Sequence, residues 1–507
     1  MTSLWKSSFD AVAGSPFEPG MRHEVVVVGA GITGLSTALM LAREGMDVAL
    51  VEGGEVAQLA TGGNTGKVSL LQGKVLSSMR RHHHAALVRA YVDANRAGAD
   101  WLTDFAESAG VPFTRSPAYS YAQGREGVET VDAEVSAGRE AGLPVRHVSG
   151  GELPVPFPVA AAAGLDDQVA LDPAAVAGAL ARAFVAAGGV LHTHTRVTGV
   201  HAGPNARIET AAGPLFASHI VLATGTPIDD RGLYFAKVSA MRSYCVSFRT
   251  EGVVPDGLWL SVDGQTRSIR RVTPDDGPAS AQLVVGGSGH PVGRAGSERA
   301  ILDEISEWAR RHFPDAEETH RWSAQDYHSH NMVPFVGAMP RGLGRIRFAT
   351  GYGKWGLSNG PAAALRLAAE IRGTKLKDRD RWMLMLATRL TMPSDIARGV
   401  VENAKIGGAA ASGWLGAEAT PVPITRPPEG EGTVAQRGGR PVAVSTTGGR
   451  TRAVSAVCTH LGGVLSWNDA ECTWDCPLHG SRFAPDGTRL EGPADRDLPT
   501  VPRAPGD

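Results

Sequence analysis

Residues 24–52 read EVVVVGAGITGLSTALMLAREGMDVALVE, and this stretch decides the fold. Glu24 to Val28 is an apolar run too short for a helix and rich in valine, the pattern of a strand buried on both faces. A helical segment from Gly34 to Glu44 and a second strand from Asp47 to Val51 complete a βαβ unit, the start of a parallel sheet. Between strand and helix stands Gly29-Ala-Gly31-Ile-Thr-Gly34. Here Gly29 makes the turn, Gly31 lets the backbone approach a pyrophosphate, and Gly34 lets helix and strand pack closely. Glu52 ends the second strand 18 residues after Gly34, placed to accept from a ribose hydroxyl. A glycine turn with no ligand is the competing reading, but strand, helix and acid are all present. The motif indicates a dinucleotide and does not separate NAD from FAD.

Similar signals recur downstream. Ala174 to Ala187 reads as a helix, and Val190 to Val197 and His219 to Ala223 as strands. Lys237 to Thr250 and Ala281 to Gly286 have the mixed pattern of an antiparallel sheet in a second lobe. Helix returns at Pro361 to Arg372, just after GYGKWGLSNG. From Lys375 to about residue 413 the pattern is weakly helical and polar. Beyond Pro421 to Gly432, short strands and turns such as Gly438-Gly439 and Asp486-Gly487 indicate a small all-β module. The expected division is a lead over 1–20, an α/β unit with two interleaved lobes over 21–375, a helical connector over 376–415 and the β module over 416–507.

The composition is that of a soluble globular chain of 507 residues, 42% hydrophobic and 20% charged, with a formal net charge of -2. No basic excess points to nucleic acid or an anionic membrane. Four cysteines are too few for a disulfide scaffold and suit a reducing compartment. The first twenty residues lack a charged and apolar leader pattern. The most apolar stretch, residues 24–42, is broken by glycines rather than continuous like a membrane span. These features predict a cytoplasmic protein with no nucleic-acid partner and no membrane span.

Near the C-terminus stand two boxes, Cys458-Thr-His-Leu-Gly-Gly463 and Cys476-Pro-Leu-His-Gly-Ser481. Cys458, His460, Cys476 and His479 could hold zinc, but the flanking residues favour a cluster with bridging sulfides. Gly462, Gly463 and Gly480 permit tight turns and close backbone approach, and Pro477 stiffens the second loop. Both boxes, with Trp467-Asn-Asp-Ala-Glu471 and Trp474 to Phe483, resemble Rieske proteins, in which two Cys bind one iron and two His the other. High-potential Rieske proteins carry an extra cysteine in each box, joined as a disulfide; Gly463 and Leu478 stand there instead. Cys472 matches neither position. The resemblance makes Ser481 a donor to a bridging sulfide and puts Phe483 where a tyrosine donor would be, which implies an intermediate potential.

The order of elements over residues 20–375 resembles the D-amino-acid oxidase/glycine oxidase superfamily of FAD proteins. The matching segments are the GAGITG start, Ala170-Leu171-Asp172-Pro173 before a helix, Thr195-Arg196-Val197, Val221 to Gly225, and Gly351-Tyr-Gly-Lys-Trp-Gly356 before another helix. The resemblance implies a glutathione-reductase-type FAD-binding domain, with Val197 at the adenine end and Gly225 among the cofactor contacts. Thr61-Gly-Gly-Asn64-Thr65-Gly-Lys67 resembles the loop that passes the flavin ring. Backbone N–H groups of Gly356, Leu357 and Ser358, at a helix N-terminus, would stabilise charge on the reduced flavin.

Catalytic candidates are less defined. Arg267 and Arg270 lie in a strand-like context where either could clamp a carboxylate, a salt-bridged arginine being an equal reading. His328 and His330 precede a segment resembling the family's return strand, so one of them is expected to line the site. Lys354 could hold a water or the flavin edge, and Trp355 beside it reads equally as packing. His82, His83 and His84 read as a helical run on different faces, which argues against a metal site. The expectation is a dehydrogenase of an amine or amino acid, in which a small-molecule substrate reduces FAD and electrons pass through the Rieske cluster to an external acceptor. Two alternatives are a reductase fed by an external donor, and an oxidase whose Rieske module is structural or redox-sensing.

Overall fold

The computed structural model describes residues 1–7, 9–272, 282–387, 404, 408, 413–414 and 426–501. The valine run becomes the strand Arg22–Val28, and Val25, Val26 and Val27 are fully buried because the sheet continues on both sides of it. It pairs in parallel with Val48–Val51 on one side and Gly213–Leu222 on the other. The sheet continues through Val190–His192 at one end and Ile346–Thr350 then Phe335–Ala338 at the other, with the hairpin Val197–His201 and Ala206–Thr210 attached. The helix Ile32–Arg43 packs over it, as does Pro173–Ala186, whose first turn is capped by the Asp172 carboxylate on the Ala174 and Ala175 N–H groups.

A nine-stranded sheet forms the second lobe. Its long strand Val238–Arg249 lies between Gln282–Pro291 and Glu317–Ser329, all antiparallel. The last described segment is a separate β module with a three-stranded sheet, Gly432–Arg437, Arg440–Thr447 and Arg450–Ser455, and a four-stranded one over Ser466–Asn468, Thr473–Asp475, Arg482–Phe483 and Arg489–Glu491. Trp474 and Phe483, both fully buried, join the two.

Several elements differ from the sequence reading. The strand expected over Val190 to Val197 breaks after His192: His194 takes φ 52°, and the His194 and Thr195 N–H groups turn back to Gly54 and Glu52 carbonyls, so the chain crosses the sheet end before a new strand starts at Val197. The last helix of the α/β unit starts at Gly356, not Pro361, because a proline early in a helix removes only one intrahelical donor. Among the described residues, four helices went unread: Val75–Arg80, Ala85–Ser108, Val128–Glu140 and Glu298–His312. His82 to His84 do not continue a helix. They occupy the turn between Val75–Arg80 and Ala85–Ser108, where His84 Nδ1 accepts from the Leu87 N–H and His83 bonds the Asn331 carbonyl. The lead is tied down as well: Ser3 Oγ donates to Gly62 O, and Trp5 Nε1 donates to Asn64 O at 2.7 Å. Of the connector, the turn Leu376–Asp378 and helix Arg381–Met385 are seen, and most of the remainder lies outside the described residues. No helix among the described residues is long and apolar enough to cross a membrane.

Candidate active site and iron-sulfur centre

The glycine turn opens onto a cavity of about 320 Å³ that runs between the two lobes. Gly29 has φ 107°, and a Cβ there would lie 2.5 Å from the Ala223 carbonyl oxygen. A Cβ on Gly34 would lie 1.9 Å from Gly29 O, so the close strand–helix packing read from the motif is real. No side chain caps the helix at Gly31, which leaves its N-terminal dipole facing the cavity, while Thr61 Oγ1 accepts from Ile32 N–H. Glu52 is held in place by the Ala30 and Gly54 N–H groups, one on each oxygen at 2.8 Å. Asn64, Thr65, Val197, Gly225, Gly356 and Leu357 also line the cavity. This cradle, with steric room only for glycine and a fixed carboxylate at the second strand's end, fits FAD.

At the other end the helix Gly356–Ile371 aims its first turn at the cavity. Ser358 is not among the residues lining the cavity, and its hydroxyl turns inward to Asn95 Oδ1 at 2.6 Å. Gln72, Tyr91 and Asn359 complete that buried network. Tyr352 ties the loop to the first helix through Thr33 Oγ1 at 3.0 Å.

The three catalytic candidates fare differently. Lys354 lines the cavity beside Asp326. Burial would raise the Asp326 pKa, but His328 and Lys354 together hold it below the ordinary value. Arg270 is buried below the cavity wall, where it donates to the carbonyls of Thr65 and Leu171 and lies over Trp5. It therefore braces the flavin loop. His330 is bonded to Ser239 Oγ at 3.0 Å and is not among the lining residues, and Arg267 pairs with Glu304.

Sequence reasoning passed over Lys67. Its Nζ donates to Trp259 O at 2.6 Å and Ser268 Oγ at 2.8 Å, and the residue lines the cavity. Burial, helped by the Arg270 charge and opposed by Cys245, lowers its pKa to about 7. A lysine closing a small-residue loop and entering a strand was the available signal.

The two cysteine-histidine loops are near copies. Cys458 N–H donates to Gly463 O, and Cys476 N–H to Ser481 O; Gly462 and Gly480 each turn back at positive φ to the cysteine carbonyl. The His460 and His479 rings stand 5.1 Å apart, and both Nδ1 atoms are buried without a hydrogen-bond partner. Such orphaned nitrogens suit metal ligation, as does the His479 pKa, lowered to about 4 mainly by burial, which keeps the ring neutral. Among the described residues no three of His, Cys, Asp and Glu surround one point, as a single ion would require. A two-iron cluster asks for only two protein ligands at each iron. Leu478 packs on Gly463 where the disulfide of high-potential forms would lie, and all four cysteines are free. Ser481, which accepts from Ala494 N–H, also bonds toward Cys458.

The profile of the family described as FAD dependent oxidoreductase, DAO, matches residues 24–370, more than half of the chain. The chain belongs to the DAO family. The Rieske [2Fe-2S] domain profile matches residues 423–502. Together the two domains specify FAD and a Rieske 2Fe-2S cluster, consistent with an oxidoreductase. The chain is 26% identical to YhfW of Bacillus subtilis (strain 168), named as a Rieske 2Fe-2S iron-sulfur protein, over 98% of this chain and 97% of that one. In fold it resembles glycine oxidase from Geobacillus kaustophilus, with TM-score 0.62 and 19% identity over 73% of this chain and all of the other. It also resembles L-proline dehydrogenase from P. horikoshii, with TM-score 0.57 and 18% identity over 71% and 96%.

The DAO and Rieske domains meet over a dense interface. Arg242 of the DAO domain, fully buried, reaches Asp475 and also donates to Ser323 and Gln325. Asp469 of the Rieske domain caps the helix Glu298–His312 through Ser297 Oγ and the Glu298 and Arg299 N–H groups. Arg294 holds the Pro477 carbonyl, and Phe235 stands edge-on to both His460 and His479 at 4.9 Å. Most directly, Gln325 and Tyr327 line the DAO cavity, and Gln325 Nε2 donates to Gly480 O at 2.7 Å, next to His479.

Proposed function

We propose that the chain is an amine or amino acid dehydrogenase in which electrons pass between FAD and the Rieske cluster, with an external carrier as the final acceptor. The observation that carries the reading is the Gln325–Gly480 bond, which joins the wall of the flavin cavity to the loop of a cluster ligand with no intervening solvent layer. Bound in these sites, FAD supplies a hydride acceptor and the cluster a one-electron carrier.

The protein's own groups support proton removal at the substrate. A neutral Lys67 amine has two N–H donors, and both are matched, to Trp259 O and Ser268 Oγ. Its lone pair is left to accept the proton of a substrate ammonium. Lys354 lines the same cavity, where its ammonium is placed to meet a substrate carboxylate. The two structural neighbours are a glycine oxidase and an L-proline dehydrogenase, which favours the same substrate class. The bracing roles of Arg270 and the position of His330 leave Lys67 and Lys354 as the catalytic assignments.

Anaerobic stopped-flow with a panel of amines and amino acids tests this, following flavin bleaching and freeze-quenched Rieske EPR together. Cluster reduction that lags flavin reduction is expected. A cluster that stays oxidised while the flavin bleaches would rule out the relay.

A further inference from the structure

The wall of the dinucleotide cavity is not made by the DAO domain alone. Arg489, Leu490, Glu491 and Gly492, from the last strand of the Rieske domain and the residue after it, line it beside Glu52, Arg196 and Val197. Arg489 is 4% exposed, and its guanidinium donates to Ala494 O at 2.6 Å and Val197 O at 3.4 Å. Arg196 lies over Gly53, where a Cβ would come within 2.9 Å of its Cζ, and its Nη1 donates to Leu490 O. Two guanidiniums therefore face one cavity from opposite sides of a domain boundary. Burial, and after it the Arg196 charge, push the Arg489 pKa down to about 10, against a smaller pull from Asp497 and Asp495. Among the described residues no carboxylate lies within ion-pair distance of either one. A buried Arg489 and a half-buried Arg196, with donors on carbonyls and no carboxylate in ion-pair contact, are set to receive an anion.

We propose that Arg489 is an FAD-binding residue supplied by the Rieske domain, pairing with Arg196 around the anionic adenosine-diphosphate half of the cofactor. FAD then bridges the two domains, so that cofactor binding and domain docking are thermodynamically linked: whatever one gains from the other is returned in equal measure. A flavin domain that kept its cluster partner at a distance would hold FAD less tightly, which couples assembly of the electron-transfer pair to cofactor loading.

The test uses the full chain with its cluster intact, stripped of FAD and titrated with it while flavin fluorescence is followed. Arg489→Gln should raise the FAD Kd by about tenfold or more, the loss expected for a charge-assisted contact, and Arg489→Lys should recover part of it. The Rieske EPR signal and the cluster iron content should stay unchanged in both variants. An FAD Kd within about twofold of the parent in Arg489→Gln would overturn the proposal. A second measurement needs no variant: hydrogen exchange at residues 489–492 in the unmodified protein should slow when FAD is added. If exchange there is the same with and without FAD, the linkage fails.

Discussion

Arg242 and Asp475 lie 3.1 Å apart across the boundary between the two domains, and each side chain is 1% exposed. Asp475 also accepts from Asn468 and Thr473, so its charge is met from both domains. Removing one partner of such a buried pair costs about 3–5 kcal/mol, with Arg242→Met at the lower end because Arg482 Nε stays 3.6 Å from Asp475 Oδ1. Asp475→Asn and Arg242→Met should each lower stability to that extent in denaturant unfolding. The double variant Arg242→Met/Asp475→Leu should lose clearly less than the sum, because the Arg242 and Asp475 charges are removed together. Strict additivity would show that the two residues do not interact.

Lys67 sets a pH dependence with a definite sign. Its pKa is lowered from the ordinary lysine value of 10.5 to about 7, chiefly by burial, with Arg270 and Cys245 as the charged and titratable neighbours. The amine is therefore neutral above about pH 7, and substrate-driven flavin reduction should rise through that pH and then level off. Stability follows the same group. Between about pH 7 and 10.5 the unfolded chain binds more protons than the native one, so this residue's contribution becomes less unfavourable as pH rises and is most unfavourable below pH 7. Lys67→Met should remove the rising limb and slow flavin reduction by about 10²- to 10⁴-fold, the usual range for losing a proton-transfer group. A profile unchanged in Lys67→Met would remove the lysine from the chemistry.

Cluster removal separates the two halves of the proposed reaction. Cys458→Ser should abolish the iron and the Rieske EPR signal, while anaerobic bleaching of FAD by substrate persists. Reoxidation by an added one-electron protein acceptor should be lost. Reoxidation at the parental rate would show that the cluster lies off the route, as in an oxidase whose Rieske module is structural.

How much of this was legible depends on range along the chain. The turn at Gly29 to Gly34 and the loops at Cys458 to Gly463 and Cys476 to Ser481 are set by local backbone demands, so the residues announce them. The helix Ala85–Ser108 buries Leu87, Tyr91, Ala94, Leu102 and Phe105 at helical spacing, so its apolar stripe was legible and went unused. Arg270 looked like a substrate clamp because nothing near it in sequence tells that Thr65 and Leu171 present their carbonyls to it. Lys67 was quoted as the end of a loop, but its chemistry comes from Trp259 and Ser268, some two hundred residues away. The domain interface was invisible for the same reason: Arg242 and Asp475 acquire meaning only together.

Gly480 and Gly293 carry a consequence for protein engineering. A Cβ on Gly480 would lie 2.4 Å from that of Ala240, and one on Gly293 would lie 2.8 Å from Ser466 Oγ; both glycines also have positive φ. The two surfaces are thus cut to each other at backbone level, and the electron-carrying unit is not an interchangeable cartridge. A graft from another Rieske protein could keep every iron ligand and still fail to seat, unless its second ligand loop left the space beside Ala240 empty.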